Sequence, residues 1–331
     1  MKLRLVSWTI LTILIAAVAA VALYITPEVG FGYDTNPWSI SGDEPDFPLE
    51  LEGDFFKYIG LDADMRLFRK GGWSLKGAMA FEYKGYVQNV QKNYLSIIPK
   101  VTAIRKGYWA SLSYGYIPRY SIRPVKDAED SYTYKFPEYA ANEFLLRTAW
   151  SPMKDLWLEG RAEYQLNYYD ASFLEYDQNQ WSFGGYLRYS GDVYAKAGYR
   201  YTDSRSQGFD IQGETRENSD DTDGSYEEDR FYLRTGKDFG RFSAYISGTY
   251  YLRYYTSEKG LDDPIHYTRK DTYMSAHLDL GYDFGQVELS LKTGYADRNA
   301  DSKINPDLPI LRDYDAFDVG IYIEYNGIEI E

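Results

Sequence analysis

Long runs of alternating apolar and polar residues are the feature that most limits what this chain can fold into. The run at 156–168 shows it best, because every second residue from Leu156 to Tyr168 is apolar or small. The residues between them, apart from Trp157, are polar or charged. Side chains alternate between the two faces of a β-strand, so the run predicts a strand with one apolar and one polar face. Strands in soluble domains are typically about 5–6 residues long, whereas crossing a bilayer takes about 9–11.

The same pattern recurs along the chain and predicts about fourteen strands. We place them near 23–34, 55–69, 73–85, 94–105, 108–118, 139–151, 156–169, 180–190, 193–203, 229–237, 241–255, 270–284, 286–298 and 313–325. Their connections alternate between short turns, such as 69–72, and long polar stretches, such as 204–228. Transmembrane barrels show this asymmetry, with short periplasmic turns and long outer loops. The predicted fold class is therefore all-β: one antiparallel up-and-down transmembrane β-barrel of about fourteen strands.

The start of the chain predicts export from the cytoplasm. Two positive residues precede a nearly uninterrupted apolar run at 6–23, and Ala20–Ala22 forms a small-x-small cleavage pattern. These features are typical of a secretory signal peptide, so we predict a signal peptide over 1–22 and the barrel over 23–331. A retained membrane anchor is the alternative, since the run is nearly long enough to span a bilayer. Export and a barrel together predict a bacterial outer membrane as the location.

Composition limits the partners. The formal net charge of -14 argues against a nucleic-acid partner, which would need a basic surface. The absence of cysteine excludes disulfides and cysteine-based metal sites. Tyrosine, at 36 of 331 residues, suits both strands and membrane–water boundaries. We therefore expect contact with outer-membrane lipid and lipopolysaccharide and no organic cofactor. A homo-oligomer and a periplasmic partner are both compatible with these features.

A short motif lies at the end of the first predicted strand. Gly32, Tyr33, Asp34 and Asn36 form "GYDTN" at 32–36. The motif resembles a pattern in a loose group of bacterial outer-membrane barrels, which includes porin-like barrels and the barrel half of surface lipoprotein assembly modifiers. The resemblance implies an outer-membrane barrel and leaves the function open.

Charged residues fall on the polar face of the strands, which would line the lumen. Strands six to eleven contribute a basic wall of Arg147, Arg161, Arg188, Lys196, Arg200, Arg230, Arg234 and Arg253. The other strands contribute an acidic wall of Asp62, Asp64, Glu82, Asp271, Asp279, Glu288, Asp318 and Glu324. As pore-lining residues on opposite arcs, they would set a transverse field that orients dipolar solutes. The alternative is that these charges pair across strands and only satisfy a polar interior.

Two acidic segments are candidate cation-binding sites in the outer loops. Asp297, Asn299 and Asp301 have D-x-N-x-D spacing and resemble the calcium loops of dockerin modules, with Ser302 in place of the glycine. The alternative is a plain polar loop. The segment 214–229 carries many carboxylates and predicts a solvated loop or a surface that bridges lipopolysaccharide through divalent ions.

The leading functional prediction is a porin-like channel for passive diffusion of small polar solutes, because a charged lumen of this strand count is wet. One alternative is an export or assembly barrel for a polysaccharide or a surface lipoprotein. Another is a structural or adhesive barrel whose lumen is plugged by a loop. Ser275, His277 and Asp279 share one strand face, but neighbours two apart point in parallel, so we do not expect an enzyme.

Overall fold

The computed structural model describes residues 23–40, 53–126, 134–219 and 221–330, where the chain forms a β-barrel. Its strands, numbered β1 to β14 in chain order, are Leu23–Asp34, Asp54–Lys70, Trp73–Tyr86, Tyr94–Arg105, Tyr108–Ser121, Glu138–Met153, Leu156–Tyr169, Gln178–Ser190, Tyr194–Ser206, Tyr226–Phe239, Phe242–Tyr255, Lys270–Asp283, Val287–Asp301 and Tyr314–Tyr325. All neighbouring pairs are antiparallel. The predicted fold class and strand number are confirmed. The predicted signal peptide, 1–22, lies outside the described residues.

The barrel closes between β1 and β14. The register runs from Glu28 opposite Glu324 to Asp34 opposite Asp318. The lower part of β1 pairs instead with a short segment, Ile328–Ile330. Both sides of β1 are therefore bonded, which removes the edges that lipid would not tolerate. Pro27 lies between the two pairings, where its missing N–H is not needed.

The connections differ at the two ends of the barrel. At one end they are short turns, of which Gly71 and Gly72 are an example, with φ of 59° and 83° that favour glycine. We call this the periplasmic end, as in other transmembrane barrels. At the other end, outer loops L1 to L7 follow β1, β3, β5, β7, β9, β11 and β13. They contain short elements: Val90–Lys92, Leu174–Tyr176, Gly260–Asp262, the helix Leu308–Arg312 and a hairpin of Val125–Lys126 with Tyr134–Lys135.

Apolar side chains cover the outside of the barrel. Exposed examples are Leu112, Phe183, Leu233, Ile246, Met274 and Ile321. Exposed aromatic residues occur near the strand ends, at Trp73, Trp150, Tyr189 and Phe239 on the periplasmic side and Phe55, Tyr168, Trp181 and Tyr254 on the outer side. A soluble monomer rarely exposes so continuous an apolar surface, and aromatic girdles mark both interfaces of transmembrane barrels. The outer surface is therefore the lipid face. Within the described ranges, no helix is long and apolar enough to cross a membrane.

Candidate functional site in the barrel lumen

Glu159, on β7, brings together three cations of the basic wall. Its carboxylate lies 2.8 Å from Arg188 Nε, 2.5 Å from Lys196 Nζ and 3.7 Å from Arg147 Nη2. These residues come from β6, β8 and β9, so the contacts cross three strand boundaries. Only 7% of Glu159 is exposed, and one carboxylate therefore balances three positive charges.

Two further carboxylates continue this pattern toward the outer end. Glu163 accepts a hydrogen bond of 2.9 Å from Arg161 Nε and lies 3.8 Å from Arg200 Nη1. Glu228, on β10, lies 2.7 Å from Arg230 and 2.8 Å from Arg253. The alternative of cross-strand pairing thus applies to part of the wall.

The predicted strand ten began at 229, so the sequence analysis missed Glu228 as an inward-facing residue. Its signal was present, because Glu228 continues the alternation of Arg230, Tyr232 and Arg234 by one step. Even with Glu228, the cations of the basic wall outnumber the carboxylates among them, which are Glu143, Glu159, Glu163 and Glu228.

A cavity of about 250 Å³ lies against the basic wall. It is lined by Arg147, Arg161, Lys196, Arg200 and Arg230, with Tyr186, Tyr232 and Thr249. Guanidinium groups bind carboxylates and phosphates through paired N–H donors, and tyrosine hydroxyls add neutral donors. The cavity therefore has the chemistry of a weak binding site for a small anion.

The acidic wall is less uniform than predicted. Asp279 lies 4.0 Å from Arg234, and Lys292 lies 2.7 Å from Glu28, a carboxylate that the sequence analysis did not include. Asp271 lies at the outer end of β12, where Arg269 binds both of its oxygens, at 2.7 and 2.8 Å. Asp271 is therefore neutralised locally and differs from the other members of this wall.

The remaining predicted acidic residues lie on β2, β3, β13 and β14, the last of which carries Asp318 and Glu324. Glu82 accepts a hydrogen bond of 3.5 Å from Ser96 on β4. Asp62 and Asp64 occupy β2 on the same face as Tyr58, and Glu288 lies on β13. A second cavity of about 170 Å³ is lined by residues of both signs: Arg234, His277, Asp279, Lys292 and Asp318, with Tyr245 and Ser247.

Accessibility divides the lumen into two parts. Side chains at the middle and periplasmic levels reach solvent, with 42% of Arg147 and 39% of Arg234 exposed. Inward-facing residues at the outer ends of the strands are buried, as shown by Ser182 at 0%, Thr202 at 2% and Asp271 at 0%. The outer part of the lumen is therefore more closely packed than its middle and periplasmic parts.

Loops L1, L2 and L3 form one packed group. Trp38 in L1 donates a hydrogen bond of 2.6 Å to Asn89 Oδ1 in L2 and packs 5.4 Å from the ring of Phe136 in L3. Lys92 lies beneath Trp38 and donates to the carbonyl of Ser121 at 2.9 Å. Burial lowers the pKa of Lys92 to about 8.

Loops L5 and L6 form a second group around Asp263, which is fully buried. Its carboxylate accepts hydrogen bonds from Asp223 N at 2.8 Å, Ser257 Oγ at 2.9 Å and His266 Nδ1 at 2.9 Å. Burial alone would raise the pKa of Asp263, but these donors, with His266 first, hold it below its usual value. Burial also lowers the pKa of His266.

The L3 and L7 loops meet across the barrel mouth. Arg123 Nη1, in L3, donates a hydrogen bond of 2.7 Å to the carbonyl of Leu311, in L7. Arg298 faces the lumen from β13 and donates to the carbonyl of Arg312 through Nε and Nη2, at 3.1 and 2.8 Å. Loop L7 therefore turns inward over the lumen.

Comparison with known proteins identifies the architecture. No protein-family model and no curated protein matches the chain. The outer membrane channel DcaP of Acinetobacter baumannii is similar in structure, with a TM-score of 0.51 at 10% identity over 92% of this chain and 96% of that chain. The chain has the fold of an outer-membrane channel.

Two other solved outer-membrane proteins align over similar lengths with lower scores. OmpT of Vibrio cholerae gives a TM-score of 0.47 at 10% identity, covering 93% of this chain and 98% of that chain. The anion-selective porin from Comamonas acidovorans gives 0.46 at 8% identity, covering 93% and 99%.

The predicted calcium ligands occupy a strand of this channel fold. Asp297, Asn299 and Asp301 all fall within β13, which runs to Asp301, and Asn299 Nδ2 donates to Asp297 Oδ1 at 2.6 Å. Calcium binding there remains a prediction. In the acidic segment 214–229, at least one carboxylate is engaged within the protein, since Asp223 accepts a hydrogen bond of 2.7 Å from Ser206 Oγ.

The inward face of β12 carries Ser275, His277 and Asp279 in the channel fold. Alternate residues on a strand lie roughly 7 Å apart, which exceeds the hydrogen-bond reach that a nucleophile and its base require. The arrangement instead contributes polar groups to the lumen.

Proposed function

We propose that the protein is a bacterial outer-membrane channel through which small polar solutes diffuse passively, with anions favoured at the basic wall. The observation that carries this proposal is the cavity of about 250 Å³, whose charged lining consists of arginine and lysine. An anion that enters this cavity is attracted by more cations than the nearby carboxylates neutralise. The apolar outer surface and its aromatic girdles support an outer-membrane setting in contact with lipid and lipopolysaccharide.

The two walls also support orientation of the solute during passage. The basic wall occupies β6 to β11, whereas the acidic wall occupies β12 to β14 with β2 and β3, on the other arc of the ring. A polar solute between them would align its dipole with the resulting field. Such a channel selects by charge and dipole as well as by size.

The close packing of the outer part of the lumen favours a second candidate, a plugged barrel whose outer loops are the functional surface. Burial of Ser182, Thr202 and Asp271 at the outer ends of their strands is the observation behind it. The two candidates differ in one property. A channel requires its loops to move aside under working conditions, while a plugged barrel keeps them in place.

Single-channel recording separates the candidates. The refolded chain is placed in a planar bilayer under a salt gradient, and the reversal potential is measured. We expect an open conductance with anion preference, and we expect Arg188→Glu with Arg234→Glu to shift the reversal potential toward cations. Lys154→Glu is the control, because Lys154 is 93% exposed in a periplasmic turn. A silent bilayer, with folding confirmed by circular dichroism, would favour the plugged barrel.

A further inference from the structure

We propose that one side of the periplasmic end binds the headgroup of an anionic phospholipid of the periplasmic leaflet, through Lys70 and Arg105. This side consists of the three turns that join β2 to β3, β4 to β5 and β6 to β7, and we call it the basic rim. The proposal rests on the outer-membrane setting and not on the proposed channel function, because the lipid lies outside the barrel.

Charge is distributed unevenly among the periplasmic turns, each taken with two residues of the strand on either side. The three turns of the basic rim carry five cations and one carboxylate, which are Arg69, Lys70, Arg105, Lys106, Lys154 and Asp155. The other three turns carry one cation and four carboxylates, which are Arg241, Asp192, Asp238, Asp283 and Glu288. Asp155 lies 3.9 Å from Lys154, so the other four cations of the basic rim stay unbalanced within these turns.

One row of residues across the strands places two of these cations on the lipid face. Lys70 lies opposite Trp73, which lies opposite Arg105. Arg105 in turn lies opposite Tyr108, and Tyr108 lies opposite Trp150. Directly opposed residues point to the same face of a sheet. The three aromatic residues are exposed on the outside of the barrel, so Lys70 and Arg105 point toward lipid and away from the lumen.

This row lies at the level of the lipid headgroups. Aromatic residues exposed near strand ends mark the boundary between membrane and water, and Trp73 and Tyr108 are the first residues of β3 and β5. Lysine and arginine at such a boundary keep their stems in apolar surroundings and extend their charges to the polar side. An acidic protein in the periplasm would meet the tips of the turns. The outward direction of Lys70 and Arg105 therefore favours a lipid.

Arg105 is placed to donate hydrogen bonds to a phosphate. Its Cζ lies 5.4 Å from the centre of the Trp73 ring, a cation–π contact that steadies the guanidinium and leaves N–H donors for an acceptor. Within the described ranges, neither Lys70 nor Arg105 forms an ion pair with a carboxylate, and both are exposed.

The chemistry of these two side chains defines the ligand. Guanidinium and ammonium groups form charge-assisted hydrogen bonds with phosphate oxygens, and clusters of lysine and arginine beside a membrane attract anionic lipids. In a bacterial outer membrane, phospholipid occupies the periplasmic leaflet and lipopolysaccharide the outer one. The ligand class is therefore a phospholipid with a net negative headgroup, such as phosphatidylglycerol.

The other half of the periplasmic end lacks this arrangement. Its corresponding row contains apolar and aromatic residues, which are Phe239, Phe242, Tyr282 and Leu289. Lys237 lies 5.6 Å from the centre of the Phe239 ring and opposite Ala244. It thus has an aromatic neighbour, as Arg105 does, but no cation opposite the same ring. This half supplies a matched control.

Native mass spectrometry tests the basic rim. The refolded full-length chain in detergent is mixed with dioleoylphosphatidylglycerol, and the affinity of the first bound lipid is measured for wild type and for Lys70→Gln with Arg105→Gln. We expect binding to weaken about tenfold or more, because each cation beside an anionic headgroup contributes roughly fivefold. The control, Lys237→Gln with Arg241→Gln, removes two cations from the other half and should weaken binding by less than about twofold, since exposed charges are screened over distance.

Dioleoylphosphatidylcholine has the same acyl chains without net charge, and it should bind equally to all three proteins. Folding is checked by the electrophoretic mobility of the unheated barrel. If the double variant of the basic rim does not fold, Lys70→Gln alone replaces it. The expected weakening of phosphatidylglycerol binding is then about fivefold.

Five outcomes would overturn the proposal. Equal affinity for phosphatidylglycerol in wild type and the basic-rim variant would leave this surface to an acidic protein, and an equal loss in the control would assign binding to overall charge. Wild type that binds phosphatidylcholine as tightly as phosphatidylglycerol would exclude headgroup recognition. Binding of glycerol 3-phosphate through the same two cations, as tight as that of phosphatidylglycerol, would identify a site for free phosphate. Tighter binding of lipopolysaccharide through them would place the basic rim in the outer leaflet.

Discussion

Arg123 Nη1 and the carbonyl oxygen of Leu311 lie 2.7 Å apart, although their loops leave the barrel on nearly opposite sides. Loop L3 follows β5 and loop L7 follows β13, so nearly half of the strand ring separates their origins. The hydrogen bond therefore spans the outer mouth.

Replacing Arg123 should increase opening of the mouth. In Arg123→Ala, the charge-assisted hydrogen bond to Leu311 is lost, which removes about 1.5–3 kcal/mol of stabilisation from the closed arrangement. We expect a higher open fraction in single-channel recordings. Arg119→Ala is the matched control, because Arg119 pairs with Glu138 beside its own strand and is 59% exposed. An open fraction equal to wild type in Arg123→Ala would show that this contact does not limit passage.

Removing the charge of Glu159 should strengthen anion preference and weaken the barrel. In Glu159→Gln, the charges of Arg147, Arg188 and Lys196 lose the carboxylate that they share, on a side chain that is only 4% exposed. Breaking a buried pair in this way typically costs about 3–5 kcal/mol. The reversal potential and the free energy of unfolding in micelles report the two effects. Glu143→Gln should do less, since Glu143 is 37% exposed and 3.9 Å from Arg161.

Acid should loosen the contact between L5 and L6. His266 has a pKa below its usual value because it is buried, so the unfolded loop takes up a proton first as pH falls below about 6.5. Asp263 has a lowered pKa in the folded state, and its contribution is lost below about pH 3.9. Arg269 and Arg312 face His266 and oppose its protonation.

Hydrogen exchange measures this loosening. We expect protection of the Asp223 and His266 amides, corrected for intrinsic exchange, to fall from pH 7 to pH 4. His266→Phe should remove the loss between pH 6.5 and pH 4, whereas His277→Gln, a lumen variant, should not. Constant protection across this range would contradict the assignment.

Alkaline pH should stabilise the packed group of L1, L2 and L3. The pKa of Lys92 is lowered to about 8, so the folded chain releases this proton before the unfolded chain, in which lysine titrates near 10.4. Stability therefore rises with pH across this window, by up to roughly 3 kcal/mol. The test compares the unfolding free energies of wild type and Lys92→Met at pH 7 and pH 10. From pH 7 to pH 10, the unfolding free energy of wild type should rise relative to that of Lys92→Met. Relative to Lys154→Met it should not change.

Strand positions were predictable because one physical cause acts along the whole chain. In a strand between lipid and water, successive side chains alternate between apolar and polar. The run from Leu156 to Tyr168 therefore identified both the strand and its inward face. Predicted bounds were too short at the outer strand ends, because the strands continue above the lipid, where both faces are polar. There β10 begins at Tyr226 instead of 229, and β13 reaches Asp301 instead of 298.

The loop arrangement could not be predicted from periodicity. Contacts such as Trp38 with Asn89 join residues from separate connections through single hydrogen bonds, and no sequence pattern marks them. Likewise, Ile328–Ile330 follows the last predicted strand and is too short for its alternation to predict another. Its pairing with Leu23–Ile25 shows that it helps to close the barrel.

The closure between β1 and β14 sets the order in which the barrel can assemble. The other thirteen strand pairs join neighbours in sequence, whereas Asp34 and Asp318 bring together residues separated by nearly the whole barrel. Local hairpins carry a small entropic cost, whereas the distant pairings of β1, with β14 and with Ile328–Ile330, carry a large one. Until they form, β1 and β14 present open hydrogen-bonding edges. An unpaired strand of any other chain could therefore bond to either edge before the barrel closes.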